Sequence, residues 1–438
     1  MPTSSRPLHA LPVIQNWDCH QCGNCCTDYV VPVSDEEKKR IEGQGWDQVP
    51  EFAGKPLFVR HSPWWQFWRK KYRLRTKDDH CIFLDEKGLC KIHGKFGLEA
   101  KPFACRLYPF ILVPTGDSWR VSMRYACPSA TANKGRSLTV QKQDIAGYAT
   151  EMEHWDEPEI RAATTSTGRA VQESRRQRLP VLQGRTTVSW EDFDHILKAM
   201  LTIIRDNSDS FPRRMLRILE LVRLCKQSKF DKITGKRLKE FFELVALGVS
   251  AEVPRDLAKL PKPNWVGRTL YRTTVAIFLR KDSGLRRGVA ARSRFALVAA
   301  MMQIVSGKGQ LPRLQKGLPE IDLREFEKPL GPLEPASLEA LERYYAVKIE
   351  SCQFFGPTCY ELSVWDGLAF LALTLPCILW LARGYLDQGQ PAAIYKAITV
   401  IDENYGYNPL LGHFRQKFAT RLLFGQKELD RLIAWYGR

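Results

Sequence analysis

Four cysteines fall within the nine residues "DCHQCGNCC", Asp18 to Cys26. Cys19, Cys22 and Cys25 are spaced C-x-x-C-x-x-C, and Cys26 follows directly. Thiols this close are poorly placed for disulfides with one another, but they converge readily on a single ion or cluster. Two further segments deliver thiols in pairs. In "CIFLDEKGLCKIH" the turn "DEKG" folds Cys81 back towards Cys90. In "CRLYPFILVPTGDSWRVSMRYAC" two alternating runs flank a Thr-Gly-Asp turn, the pattern of a β-hairpin. Cys105 and Cys127 lie eleven residues on either side of Gly116, so such a hairpin would bring both thiols to its open end.

The C-x-x-C-x-x-C spacing is that with which bacterial ferredoxins wrap a four-iron cluster, whose remaining ligand precedes a proline. Cys127 precedes Pro128. The first assignment is therefore Cys19, Cys22, Cys25 and Cys127 around one iron–sulfur cluster. Cys26, Cys81, Cys90 and Cys105 remain as a second tetrathiolate set, suited to zinc or another cluster, with His93 in reserve. Adjacency lets Cys25 and Cys26 exchange roles. The plain alternative is that some of these thiols are ordinary buried side chains. That alternative is preferred for Cys225, Cys352, Cys359 and Cys377, which sit on apolar helical faces. Arg106, beside Cys105, is read either as a donor to the cluster or as the partner of Asp79 or Asp85.

The elements that must position these residues differ along the chain. Residues 14–130 read as an irregular, hairpin-containing metal-binding module, 131–188 as a helical connector and polar linker, and 189–438 as an all-helical domain. The whole is mainly α. Ser189 is the predicted N-cap of a helix whose apolar stripe is Phe193, Ile196, Leu197, Met200, Leu201 and Ile204. The uncharged run Gly367–Ala382 contains Pro376 and is shorter than a membrane-spanning helix, so it is expected to be a core helix. The N-terminus lacks the pattern of a signal peptide. Twelve cysteines in 438 residues then point to reduced thiols or metal ligands in a cytosol rather than to a disulfide scaffold.

The blocks "CHQCGNCC", "CIFLDEKGLC" and "KPFACRLYPF" resemble, in order, the motifs of the CxxCxxCC family of zinc- or iron-chelating proteins. Lys101 stands where that family usually has arginine, and Tyr108 where it has phenylalanine. The resemblance covers residues 14–130 and implies metal bound by these cysteines. The layout of such a module followed by a long helical region, together with "LERYYAVKIESCQFF", is similar to the flagellin lysine-N-methylase family. That similarity implies methyl transfer from S-adenosylmethionine to a lysine of a protein substrate. The residues themselves show neither a G-x-G nucleoside motif nor C-x-x-x-C-x-x-C spacing. The competing reading is a non-enzymatic metal-binding protein whose basic helical domain engages a partner.

A net charge of +18 suits anionic partners. The segment "HSPWWQFWRKKYRLRTK", His61 to Lys77, interleaves Trp64, Trp65, Phe67, Trp68 and Tyr72 with basic residues, a composition that suits single-stranded nucleic acid. An insertion packing over the metal module is the preferred alternative. No hydrolase triad, paired-carboxylate site or P-loop stands out.

Overall fold

The computed structural model describes residues 7–60, 71–78, 80–116, 118–154, 179–228, 233–281 and 293–438. The chain is mainly α, with small sheets confined to its N-terminal part. Its apolar side chains gather in two separate cores. The smaller holds Val33, Ile41, Trp46, Phe52, Leu74, Phe83 and Ile92, with Cys81 among them. Trp46 anchors it, edge-on to Phe52 at 5.3 Å and to Phe83 at 5.0 Å, the geometry that aromatic quadrupoles favour. The larger runs from Phe103 to Tyr436 and includes the hairpin as well as the helices. The hairpin that carries Cys105 and Cys127 at its ends thus shares a core with the helical domain.

The strands before the hairpin are short: β1 (Leu8–Ala10), β2 (Pro32–Val33), β3 (Phe58–Arg60), β4 (Tyr72–Leu74), β5 (Thr76–Lys77) and β6 (His80–Cys81). Strands β2, β4 and β3 form one sheet, and β5 pairs with β6. The helices here are brief: α1 (Asn24–Asp28), α2 (Asp35–Glu42), α3 (Lys91–Phe96) and α4 (Phe103–Leu107). Ser34 and Glu37 close a capping box at the start of α2, satisfying two otherwise orphaned N–H groups. Buried Glu37 also accepts the Phe103 N–H at 2.6 Å, which ties α2 to the helix carrying Cys105.

The predicted hairpin is β7 (Phe110–Thr115) with β8 (Ser118–Met123), in register from Phe110↔Met123 to Thr115↔Ser118. Strand β1 adds to β8 in parallel, and every residue of β8 is buried. The strands stop short of the cysteines. Cys105 instead lies on α4, and Cys127 caps α5 (Pro128–Thr131).

The expected helical stretch before the linker is α6 (Lys142–His154). Beyond the linker, β9 (Val181–Gln183) and β10 (Thr186–Thr187) form a small hairpin. Then follow α7 (Trp190–Ile204), α8 (Phe211–Gln227), α9 (Gly235–Glu252), α10 (Trp265–Phe278), α11 (Arg294–Ser306), α12 (Pro335–Glu350), α13 (Val364–Ala382), α14 (Gln390–Asn404), α15 (Phe414–Gly425) and α16 (Glu428–Tyr436). Ser189 caps α7, accepting the Asp192 N–H at 3.0 Å. Phe193, Ile196, Leu197, Met200 and Ile204 are buried on its inner stripe. The uncharged run with Pro376 lies in α13, which is long and apolar enough to cross a membrane but is packed among the other helices.

Candidate metal centre

The cysteine loop 19–26 is held at both ends. Before it, Gln15 donates to Ala130 O at 3.0 Å, Trp17 N–H to Arg136 O at 2.9 Å and Asp18 N–H to Lys134 O at 3.0 Å. Asp18 also takes a charge-assisted bond from Arg136 at 2.9 Å, and that guanidinium holds the Asp18 carboxyl below its ordinary range. The loop is therefore clamped to the turn that follows Cys127. At its far end the loop lies against the turn between Cys81 and Cys90. Gly88 adopts φ +79, and a Cβ there would stand 2.7 Å from Gln21 O. Only glycine permits both the conformation and the approach.

The turn itself is built locally. Asp85 accepts the N–H groups of Lys87 at 2.9 Å and Leu89 at 2.7 Å. Leu84 bridges to Cys90, and Lys91 N–H reaches Phe83 O at 2.7 Å. Cys81 leaves β6 with its sulfur facing the Phe83 N–H. Backbone N–H groups of this kind stabilise a thiolate.

Four thiols stand within mutual electrostatic reach. Cys105 senses Cys81, Cys25 and Cys90, and Cys81 senses Cys90 and Cys25. The Lys101 ammonium sits among Cys105, Cys90, Cys19 and Cys25, which hold its pKa up despite burial. Cys25 donates to Cys26, and this bond and burial both push its thiol pKa up. Burial pushes Cys81 up to about 12 and Cys105 upward as well. Cys127 senses Cys22 and faces the N–H groups of Ala130 and Ser129, although burial still raises it. Electrostatically, Cys105 is linked to Cys81, Cys25 and Cys90, Cys25 to Cys26, and Cys127 to Cys22. The hairpin ends do not share partners, because α4 turns Cys105 towards the smaller core.

Among the described residues, no three His, Cys, Asp or Glu side chains are drawn together closely enough to hold an ion. Two buried donors nevertheless fit a thiolate centre. The Tyr108 hydroxyl has no hydrogen-bond partner and senses both Cys127 and Cys25. Trp17 Nε1 has no partner at hydrogen-bonding geometry, yet lies close enough to Cys127 to favour its thiolate. An unsatisfied buried donor costs about 1–3 kcal/mol. Both would be satisfied by thiolate sulfur, which is anionic and accepts hydrogen bonds.

The remaining expectations divide. His93 is exposed on α3, and His20 is exposed with Nδ1 2.8 Å from Asp18 O. Arg106 does not pair with Asp85, and Asp79 lies outside the described residues. It forms a two-pronged bond to Glu151 at 2.6 and 2.9 Å and another to Glu99 at 3.1 Å. The long side chain reaches α6, away from the turn holding Asp85. Cys225, Cys352, Cys359 and Cys377 are all buried, and burial raises each thiol pKa. Trp64, Trp65, Phe67, Trp68, Arg69 and Lys70 of the aromatic–basic segment lie outside the described residues.

One element behind the site gave no sequence signal. Lys348 and Asp402, both fully buried, pair at 2.6 Å. The rings of Tyr125, Tyr344 and Tyr405 surround the ammonium at 5.3–5.5 Å. Asp402 also accepts the Ala126 N–H at 3.1 Å, so the pair fixes the backbone immediately before Cys127. Lys348 lies in a helix of ordinary amphipathic composition, and Asp402 is distant in sequence.

A cysteine-rich module that gathers thiols from three segments is backed by a helical bundle. Residues 18–131 match the CxxCxxCC family model, described as a "putative zinc- or iron-chelating domain". No curated protein matches the chain. No solved structure matches it either.

Proposed function

We propose that this module binds iron as an iron–sulfur centre, with Cys25, Cys81, Cys90 and Cys105 as one ligand set. Cys19, Cys22, Cys26 and Cys127 form the other set. The observation that carries this reading is that Cys105 senses Cys81, Cys25 and Cys90 beside the Lys101 ammonium. The ammonium offsets the negative charge that four thiolates bring. The Tyr108 O–H and Trp17 N–H would donate to thiolate sulfur once the centre forms, beside the N–H groups of Phe83, Ser129 and Ala130 that already face Cys81 and Cys127. Zinc uses the same tetrathiolate chemistry, and the C-x-x-C-x-x-C spacing favours iron. Anaerobic purification followed by iron, zinc and acid-labile sulfide analysis decides between them. About four irons and four sulfides per occupied site, with absorbance near 400 nm, support the reading. Zinc without colour overturns the iron assignment and leaves the ligand sets standing.

A second reading is transfer of a methyl group from S-adenosylmethionine to a protein lysine. Besides the family resemblance, a cavity of about 810 Å³ favours it. Trp190, Phe355 and Phe424 contribute aromatic walls to this cavity, and Glu361 and Asp366 contribute carboxylates. That volume lies within the range of small-molecule sites, and aromatic faces suit a sulfonium nucleoside, although Lys226 and Arg421 of the same lining already pair with Asp366. Calorimetric titration with S-adenosylmethionine tests it. Saturable binding supports the enzyme, and no heat favours the non-enzymatic interaction protein.

A further inference from the structure

Arg124 directly follows β8 and is buried. Its main chain is held on both sides. The N–H donates to Pro109 O at 2.8 Å, and the carbonyl accepts the Cys127 N–H at 3.1 Å. Its guanidinium reaches two other segments. From one nitrogen, Nη2, it donates to the Tyr29 hydroxyl at 3.3 Å and to Glu403 O at 3.2 Å. Tyr29 ends α1, and its own N–H donates to Cys25 O at 3.1 Å. The Tyr29 ring also rests against Tyr108 at 5.3 Å. Glu403 lies in the last turn of α14, where carbonyl groups find no partner within the helix. Just beyond that helix the Tyr407 ring stacks on the guanidinium, with 3.6 Å from Cζ to the ring centre.

We infer that Arg124 is a positioning residue for the metal centre: it sets α1, and with it Cys25 and Cys26, against Cys127. The inference rests on the reading that these thiols bind metal. A helix of five residues has too few internal bonds to hold its own direction, so α1 takes its direction from outside. Arg124 supplies the link, since its carbonyl fixes the backbone at Cys127 while its side chain grips the residue that closes α1. The stack on Tyr407 and the bond to Glu403 O fix the guanidinium in turn, and seat both cysteine segments on the end of α14. A planar guanidinium that donates from its edge and stacks through its face has a defined orientation. Lysine would supply the charge but neither the fork nor the flat face.

The test follows loss of metal from the loaded full-length protein to a competing chelator, alongside amide hydrogen exchange. Removing a group that orients a metal ligand typically weakens metal binding by about 10–100-fold. Arg124→Gln is expected to lose metal about tenfold faster than the parent, with faster exchange at residues 24–29 and unchanged exchange in α13. Arg124→Lys should behave as Arg124→Gln does, because geometry rather than charge is removed. Tyr29→Phe deletes a single oxygen and keeps the test valid if the Arg124 variants fail to fold. It too should lose metal faster, and the Arg124→Gln/Tyr29→Phe double variant should be no faster than Arg124→Gln alone. Loss from Tyr29→Phe at the parent rate, or a parent rate restored by Arg124→Lys, overturns the inference. A parent that binds no metal overturns the metal reading instead, and exchange at residues 24–29 in Arg124→Gln then decides whether Arg124 holds α1.

Discussion

Residues 33–92 and residues 103–436 bury their apolar side chains in separate cores, and the two regions are stabilised differently. The first has a handful of buried aromatic and aliphatic side chains, strands of two or three residues and helices of eight or fewer. The second has long helices around α13 and buries ion pairs as well as apolar groups. Besides Lys348–Asp402, Arg214 is fully buried and reaches Glu342 at 3.0 Å. A core as small as the first falls short of the conformational entropy it must offset, and regions of that size ordinarily depend on a disulfide or a metal. All twelve cysteines are free thiols. On the proposed reading, the cysteine-rich region relies on metal where the helical region relies on burial.

Removing the metal should separate the two regions most sharply. Structural zinc in small thiolate domains contributes on the order of 10–16 kcal/mol of apparent folding free energy at neutral pH. Chelation under reducing conditions is therefore expected to expose the amides of residues 33–92 to hydrogen exchange while α13 stays protected. Equal protection throughout would break the comparison. Because thiols must lose protons to bind, loading is also expected to fall as the pH is lowered.

Asp402→Asn attacks the other region. It leaves the Lys348 ammonium buried without its counter-charge, a change that typically costs about 3–5 kcal/mol. Burial already lowers the Lys348 pKa. The unfolding midpoint of the helical region should drop, and Asp402→Leu combined with Lys348→Met should recover much of the loss. No drop in the single variant would mean that the buried pair adds nothing.

Gly88→Ala acts where the turn between Cys81 and Cys90 meets the cysteine loop. The strained φ and the 2.7 Å approach to Gln21 O cost on the order of 1–3 kcal/mol. A loop displaced by that strain should hold metal about tenfold less tightly, since about 1.4 kcal/mol is tenfold in affinity. Unchanged metal affinity would show that the loop and the turn are independent.

The smallest effect concerns acid. Hydrogen bonds from Ser208 and Arg217 lower the Asp206 pKa to about 2. A lowered folded pKa contributes stability above the unfolded value, and that stability is lost as the pH falls from about 4 towards 2. Urea midpoints of the helical transition at pH 5 and pH 2.5 should therefore differ less in Asp206→Asn than in the parent.

Much of this was legible in the sequence because it depends on local pattern. The three cysteine blocks, the hairpin around Gly116, the Ser189 cap and the stripe beginning at Phe193 all follow from neighbours a few residues apart. The placement of the loop and of Cys105 was not legible, because it depends on Gly88 approaching Gln21 and on α4 turning Cys105 towards the smaller core. Arg106 finds Glu151 across 45 residues, a distance that no spacing rule covers. Tyr108 and Trp17 look like ordinary aromatics until their polar atoms prove buried beside sulfur.

X-ray absorption at the metal edge of the anaerobically purified protein tests the central claim most directly. The account predicts a first shell of sulfur alone at about 2.3 Å, the metal–thiolate distance. It also predicts that Cys105→Ser disturbs this shell while Cys225→Ser leaves it intact. A shell of nitrogen and oxygen, or one insensitive to Cys105→Ser, would contradict it.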